Sequence, residues 1–318
     1  MRVFVTGASG WIGSAVVPEL IEAGHQIVGL ARSDASAAVL TEAGAEVRRG
    51  TIDDLDTLRA AAAESDGVIH LAFKHDIAFS GGFEDAAGAD RRAIDTFGDA
   101  LAGSDRPLLI ASGTLGPAPG RPATEEDGQA DGQASGPAGA HATGGPAMRQ
   151  ANAWATVALA DRGVRSCVVR LPPTVHGDGD QGFMASLVAI ARAKGVSGHI
   201  GDGANRWPAV HRSDAAHLFR LALEGASAGS TLHAVAEEGV PIRDVAEVIG
   251  RHLGLPVVSV SPDDAPAHFT WLAGFLGLDS PTSSAHTREL LGWRPTGPGL
   301  IDDLDEGHYF ATPAPPSA

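Results

Sequence analysis

Met1-Arg-Val-Phe-Val-Thr-Gly7-Ala-Ser-Gly10-Trp-Ile-Gly13 reads as a short buried strand, a glycine-rich turn and the opening of a helix. The three glycines have separate tasks. Gly7 lets the chain turn sharply after the strand, Gly10 lets the backbone approach a pyrophosphate, and Gly13 lets the helix press on the sheet. Ser9, Trp11 and Ile12 fill the turn between them. Free N–H groups at the helix start, with the helix dipole behind them, would hold phosphates. The triplet gains weight from its setting, because residues 2–5 supply the strand and residues 11–23 the helix.

Working outward, residues 26–30 form a second apolar strand ending in Ala31-Arg32-Ser33. A site for NAD usually places an acidic residue there to bind the ribose 2′-hydroxyl. None stands at this strand tip. Arg32 and Ser33 instead suit the 2′-phosphate of NADP, since a guanidinium grips phosphate oxygens two at a time. A third strand, 46–49, leads into Gly50-Thr-Ile-Asp53-Asp54, where Asp53 is the candidate acceptor for the adenine amino group and Asp54 an N-cap or first-turn acid. The fourth strand, 67–71, ends at Leu71-Ala72 and is followed by Phe73-Lys74-His75-Asp76. Charged residues at that strand end would face the ligand crevice.

Residues 83–102 carry apolar side chains at helical spacing and return the chain to a fifth strand, 107–111, which ends Ser112-Gly113-Thr114. From 116 to 146 the composition shifts to Gly, Ala and Pro, which predicts a mobile flap beside the crevice. A helix over 148–162 and a sixth strand over 164–171 follow, then Pro172-Pro-Thr-Val-His176-Gly177. Further on, 201–207 reads as a loop, and Ser213 as the N-cap of a helix reaching 223. Strands at 231–235 and 257–259 and helices at 242–253 and 287–291 complete the pattern. The alternation predicts an α/β fold, a doubly wound parallel sheet with a smaller C-terminal substrate-binding part. The division is 1–172 for the dinucleotide-binding domain and 173–318 for the substrate region, with about 208–235 returning to the first domain.

Composition bounds the function. A net charge of −16 argues against binding nucleic acid, whose affinity comes from clustered Lys and Arg. No run of eighteen apolar residues exists, so no membrane span is expected. The one cysteine, Cys167, lies in the sixth strand and forms no internal disulfide, which points to a reducing, cytoplasmic setting. No zinc motif or calcium loop is complete, so no metal is expected.

These landmarks together resemble the short-chain dehydrogenase/reductase superfamily, in its extended or atypical branch, the epimerase/dehydratase-like one. The matching pieces are Thr6-Gly-Ala-Ser-Gly-Trp-Ile-Gly13, Asp53, His70-Leu-Ala72, Ile110-Ala-Ser112, Arg170-Leu-Pro-Pro-Thr-Val-His-Gly177, Val210-His-Arg-Ser-Asp214 and Glu289-Leu-Leu-Gly-Trp293-Arg-Pro. The resemblance implies a Rossmann-type domain binding NAD(P), with Leu71, Ala72, Lys74 and Pro172 among the cofactor contacts. It also leaves room for a homodimer through helices 83–102 and 148–162.

The catalytic signature departs from that pattern. The superfamily uses a Ser or Thr with a Tyr-x-x-x-Lys pair, and here the sole tyrosine is Tyr309 and the only lysines are Lys74 and Lys194. In the family the lysine precedes the strand-end arginine by roughly six helical turns, which puts its slot near Arg149 and the tyrosine slot near Gly145. Arg149 can bind ribose hydroxyls but cannot give up a proton. Ser112 and Thr114 match the Ser/Thr position. His75 and His141 are the histidines nearest the crevice, and imidazole suits proton transfer near neutral pH. Lys74, His176 and a water relayed by Ser112 are further candidates. The expectation is an NADPH-dependent reductase acting on a carbonyl of a small molecule with a non-standard general acid. The alternatives are an NADP-binding regulator or scaffold without catalysis, or a sugar-nucleotide epimerase or dehydratase.

Overall fold

The computed structural model describes residues 1–114, 116, 118, 120–128 and 145–311. Its first strand, β1 (Arg2–Thr6), buries Val3, Phe4 and Val5 completely. A central strand of a parallel sheet covered on both faces has to be apolar throughout in this way. β1 pairs in parallel with β2 (Gln26–Ala31) on one side and β4 (Gly67–His70) on the other. β3 (Glu46–Arg49) lies outside β2, while β5 (Pro107–Gly113), β6 (Arg165–Leu171) and β10 (Ser230–His233) continue outward from β4. The result is one seven-stranded parallel sheet, doubly wound as the sequence predicts. Its order reverses between β1 and β4, and such a switch point opens a crevice at the carboxyl ends of the strands.

Helices close both faces. On one, α1 (Gly13–Glu22), α2 (Asp34–Glu42) and α8 (Arg212–Gly225) bury Val16, Leu20, Leu40 and Phe219, and Trp293 from the C-terminal segment joins them. On the other, α3 (Leu55–Ala63), α5 (Phe83–Leu101) and α6 (Gly145–Val157) bury Leu58, Ile94, Phe97 and Ala153. Between β4 and α5 the chain makes a single turn, α4 (His75–Ile77). Because β10 pairs with β6 and α8 packs against α1, the chain returns to the large sheet after residue 210.

A second core belongs to the smaller part. β7 (Thr174–His176), β9 (Arg206–His211) and β11 (Glu237–Pro241) form a three-stranded sheet, and β8 (Ser197–Ile200) pairs with β12 (Val257–Val260). With α7 (Phe183–Lys194) and α9 (Ile242–Leu253) they enclose Met184, Trp207, Ile249 and Leu272. The sequence predicts a loop over 201–207, yet β9 starts at Arg206 and is the middle strand of its sheet. Pro208 hides the strand, since proline is rare in a central one. It is accommodated where β11 is irregular between Glu237 and Val240. Ser213 is not the cap of α8. His211 occupies that place, its Nδ1 facing the Ser213 N–H at 3.4 Å.

Candidate active site

The glycine turn sits at the crevice. Gly7 adopts φ +66°, and a Cβ there would lie 2.7 Å from the Ala72 nitrogen at the end of β4. A Cβ on Gly13 would stand 2.2 Å from the Gly7 carbonyl oxygen, so helix, turn and strand are in backbone contact. Gly10 donates to the Gly7 carbonyl at 2.9 Å, and Ser14 to the Gly10 carbonyl at 2.8 Å. The amides of Trp11, Ile12 and Gly13 find no acceptor among the described residues. They lie at the N-terminus of α1 and line a cleft of about 1860 Å³. Free amides on a helix N-terminus inside a cleft fit a pyrophosphate. The residues present therefore suit a nicotinamide dinucleotide.

The strand ends beside the turn bring most of the sequence-derived cofactor residues to this cleft, including Ser9, Leu71, Ala72 and Pro172. Arg32 is exposed at the end of β2 and makes no ion pair among the described residues. Ser33 caps α2, its hydroxyl accepting from the Ser36 N–H at 3.2 Å. Asp34 is drawn to Arg49 and away from the strand tip. Asp53 and Lys74 meet at the cleft wall, Nζ to Oδ2 at 2.6 Å. That contact pairs the lysine with a carboxylate at the cleft wall. Asp54 precedes α3 but does not bond its amides. Its carboxylate instead accepts from the Thr51 N–H at 2.6 Å and from the Thr51 hydroxyl at 3.0 Å.

The other end of the cleft is built on β5 and α6. Ser112 and Thr114 line it; Ser112 is buried and its hydroxyl has no partner among the described residues. Arg149 reaches across from α6, Nη2 donating to the Ala111 carbonyl at 3.2 Å. Its guanidinium lies over the Phe73 ring at 3.7 Å, and its Nη1 is enclosed with no acceptor. Burial pushes the guanidinium below its ordinary range, which leaves it charged at neutral pH. Gln150 Nε2 and Trp154 Nε1, on the same helix and lining the same cleft, are also enclosed without acceptors. Sequence reasoning missed these two; the i, i+3, i+7 spacing of Ala147, Gln150 and Trp154 was the available signal.

His75 stands beside Phe73, their rings 5.0 Å apart. Burial first, then the charge of Arg149, holds its imidazole below the usual histidine range. It is neutral at pH 7 and a weak acid there. Behind it, Asp90 on α5 is within 3.2 Å of His70 Nε2 and accepts from Asn152 at 2.8 Å. Burial opposes the charge on Asp90, but those contacts and Arg149 outweigh it and keep the carboxyl below its ordinary range. His141 lies outside the described residues.

The sole tyrosine is far from the family's slot. Tyr309 donates to Asp180 Oδ2 at 3.0 Å and accepts from the Gly177 N–H at 3.2 Å. Asp180 lines the cleft, and burial raises its carboxyl above the ordinary range. Burial and the neighbouring Asp180 raise the phenol further from ionisation. His176 is fully buried outside the cleft lining, its Nδ1 within 2.9 Å of Asp303 and its Nε2 without a partner among the described residues. Asp303, Glu306 and His308 bring ligand atoms within 4.8 Å of one another, but Asp303 is already engaged by His176.

The flap expected over 116–146 is tied down in its first part. Ala123 exchanges backbone hydrogen bonds with Pro281 and Ser283, both at 2.8 Å. Buried Glu125 accepts from the Thr287 N–H and hydroxyl, and the Asp127 carbonyl accepts from Arg170 Nη1 at 3.0 Å. Composition conceals this, because the anchors are polar contacts made with β6 and with the far C-terminal segment.

Residues 3–235 match the model of the NAD dependent epimerase/dehydratase family. The chain belongs to that family. Among curated relatives of this epimerase/dehydratase-family chain, "Uncharacterized protein C2A9.02" of Schizosaccharomyces pombe is 47% identical over 98% of this chain and 100% of its own length. The 2'-dehydrokanamycin reductase of Streptomyces kanamyceticus is 32% identical over 82% of this chain and 69% of its own. A solved dTDP-glucose 4,6-dehydratase from Streptomyces venezuelae, with NAD and TYD bound, shares the fold at a TM-score of 0.73. It is 19% identical and covers 97% of this chain and 96% of that one. Members of the family are NAD(P)-dependent oxidoreductases and epimerases. No helix among the described residues is long and apolar enough to cross a membrane.

Proposed function

We propose that this family member is an NADPH-dependent carbonyl reductase. One observation carries the reading: Ser112 at the end of β5 and Arg149, whose Nη2 donates to the neighbouring Ala111 carbonyl, line the same cleft, and neither the Ser112 hydroxyl nor Arg149 Nη1 has a partner among the described residues. Two donor side chains in one cleft could serve a single acceptor oxygen. The bound nicotinamide would supply a hydride to the carbonyl carbon. Ser112 orients the carbonyl, and Arg149 stabilises the negative charge that develops on its oxygen. Such a fixed donor in a cleft is worth about 10²–10³ in rate. Arg149 does not release a proton, so the alkoxide takes its proton from water through the Ser112 hydroxyl, with Thr114 beside it.

Arg32 would hold the 2′-phosphate of NADPH, and the drawing of Asp34 toward Arg49 removes the carboxylate that would favour NAD. The Streptomyces kanamyceticus relative, named as a reductase, supports the same reaction type. The experiment is to mix purified protein with NADPH and a panel of aldehydes and ketones, following NADPH loss and alcohol formation. The expected result is stoichiometric conversion. Tight NADPH binding with no turnover would favour a non-catalytic NADP-binding protein. Interconversion of nucleotide sugars without net cofactor consumption would favour an epimerase.

A further inference from the structure

The outer end of the cleft differs in character from the cofactor end. Past Pro172 its described lining includes Phe183, Met184, Trp207, Phe275 and Leu278, and it contains no Lys or Arg. The one ionisable group there is the Asp180 carboxyl. A nucleotide-linked sugar would bring a second diphosphate to this wall, and the cation carried toward it, Arg121 beside the Ala123–Pro281 bond, is already paired with Asp127. The cations that line the cleft, Arg32, Lys74, Arg121 and Arg149, all come from its first half, and Lys74 and Arg121 are paired with Asp53 and Asp127.

The aromatic groups form a connected set. The Phe183 ring lies 5.5 Å from Trp207, 5.5 Å from Trp271 and 5.9 Å from Phe275. Trp207 is buried as a floor, while Trp271 is 50% and Phe275 44% exposed. Trp271 lies between α10 (Ala265–Phe269) and α11 (Ala273–Leu276), and Phe275 lies within α11. The opposite side of that stretch is anchored by fully buried Phe269, Leu272 and Leu276. The residue before Trp271 is Thr270, which holds φ +55°. A β-branched residue rarely adopts that conformation, and such strain persists where surrounding structure enforces it, often at ligand clamps.

We propose that this aromatic wall binds the ring of an uncharged aromatic carbonyl compound, so that the substrate class is aryl aldehydes and ketones and not nucleotide sugars. The proposal rests on the reductase reading for the reaction but not for the binding. Phe183 and Phe275, which both line the cleft, would take the ring by offset or edge contacts, at a spacing that aromatic pairs favour. The carbonyl would then point toward Ser112 and Arg149.

The test is calorimetric titration with benzylacetone, butanone and UDP-glucose in the presence of saturating NADP⁺, for the parent protein, Phe183→Ala, Phe275→Ala and Phe275→Tyr. Benzylacetone should bind best, and each alanine variant should weaken it roughly threefold to tenfold while leaving butanone and NADP⁺ affinity unchanged. Phe275→Tyr, which keeps the ring, should recover most of the loss of Phe275→Ala. In turnover the alanine variants should raise KM for benzylacetone and leave kcat alone. Equal affinity for benzylacetone and butanone, or tighter binding of UDP-glucose, overturns the proposal. So does a parent dimer that Phe275→Ala dissociates in sedimentation, since the patch would then be a contact between copies. Ring-dependent binding without NADPH oxidation would leave the proposal standing and remove the reductase reading instead.

Discussion

The guanidinium of Arg149 lies 3.7 Å above the ring of Phe73, with its Nη1 enclosed and unpartnered. A cation over an aromatic face is held in place without consuming its hydrogen-bond donors. The donor is therefore fixed before any ligand arrives. Arg149→Met should lower kcat by about 10²–10³-fold, the range for removing one preorganised donor at a developing oxyanion. NADPH affinity should change less. Arg149→Lys should recover only part of the rate, because an ammonium keeps the charge but loses the planar fork. Steady-state kinetics with parallel NADPH titration checks this; a wild-type kcat in Arg149→Met would exclude the assigned role.

Arg32 supplies a second prediction. It is exposed at the end of β2 with no ion-pair partner among the described residues, and Ser33 beside it is committed to capping α2. A charge-assisted phosphate contact is worth about 1.5–3 kcal/mol. Arg32→Ala should therefore weaken NADPH about 10- to 100-fold and leave NADH nearly unchanged. Comparing the dissociation constants of both cofactors in both proteins decides it. Equal affinities in the parent would remove the argument.

Much of the dinucleotide end was legible in the sequence because its physics is local. Gly10 and Gly13 are required by backbone contacts within the first thirteen residues, Gly7 by its positive φ as well as by the end of β4, and continuous apolar runs mark the buried parallel strands. The catalytic end was less legible. Arg149 could be placed only by spacing against a related pattern, and its partners Phe73 and Ala111 come from two other strand ends. Tyr309 meets Asp180 across 129 residues, and Glu125 meets Thr287 across 162, separations that no periodicity reports. β9 was missed because Pro208 lies inside a central strand.

Buried His233 makes stability depend on pH. Its Nδ1 faces the Ser283 carbonyl at 2.7 Å, and its Nε2 faces Arg170 Nη1 at 3.4 Å. That environment fits the neutral ring, donating at Nδ1 and accepting at Nε2. Burial pushes its pKa down to about 4, with Arg170 acting in the same direction and Glu125 and Asp127 opposing. The unfolded chain titrates near 6.5, so between those values it binds the proton that the folded chain refuses. The stabilisation is complete above about pH 6.5 and is lost as pH falls toward 4, by about 3 kcal/mol. His233→Asn, which keeps a donor toward Ser283, should flatten the pH dependence of urea unfolding by that amount. An unchanged slope would assign the acid sensitivity elsewhere.

The glycine turn gives the sharpest steric prediction. A Cβ on Gly13 would stand 2.2 Å from the Gly7 carbonyl oxygen and 2.7 Å from the Ala8 backbone. All of these obstacles are backbone, so Gly13→Ala can be accommodated only by moving the first turn of α1 away from β1. That shift re-aims the free amides of Trp11, Ile12 and Gly13, and overpacking of this kind costs about 1–3 kcal/mol. Stability should fall by that amount, and NADPH affinity should fall at least tenfold, since the donors at the helix start no longer converge. Gly113→Ala is the control for stability: it has no atom within 4 Å of the added methyl and no positive φ. Urea unfolding and NADPH titration of the two variants separate the effects. Gly13→Ala with parental stability and affinity would mean that the contact between turn and helix does not set the geometry of the phosphate site.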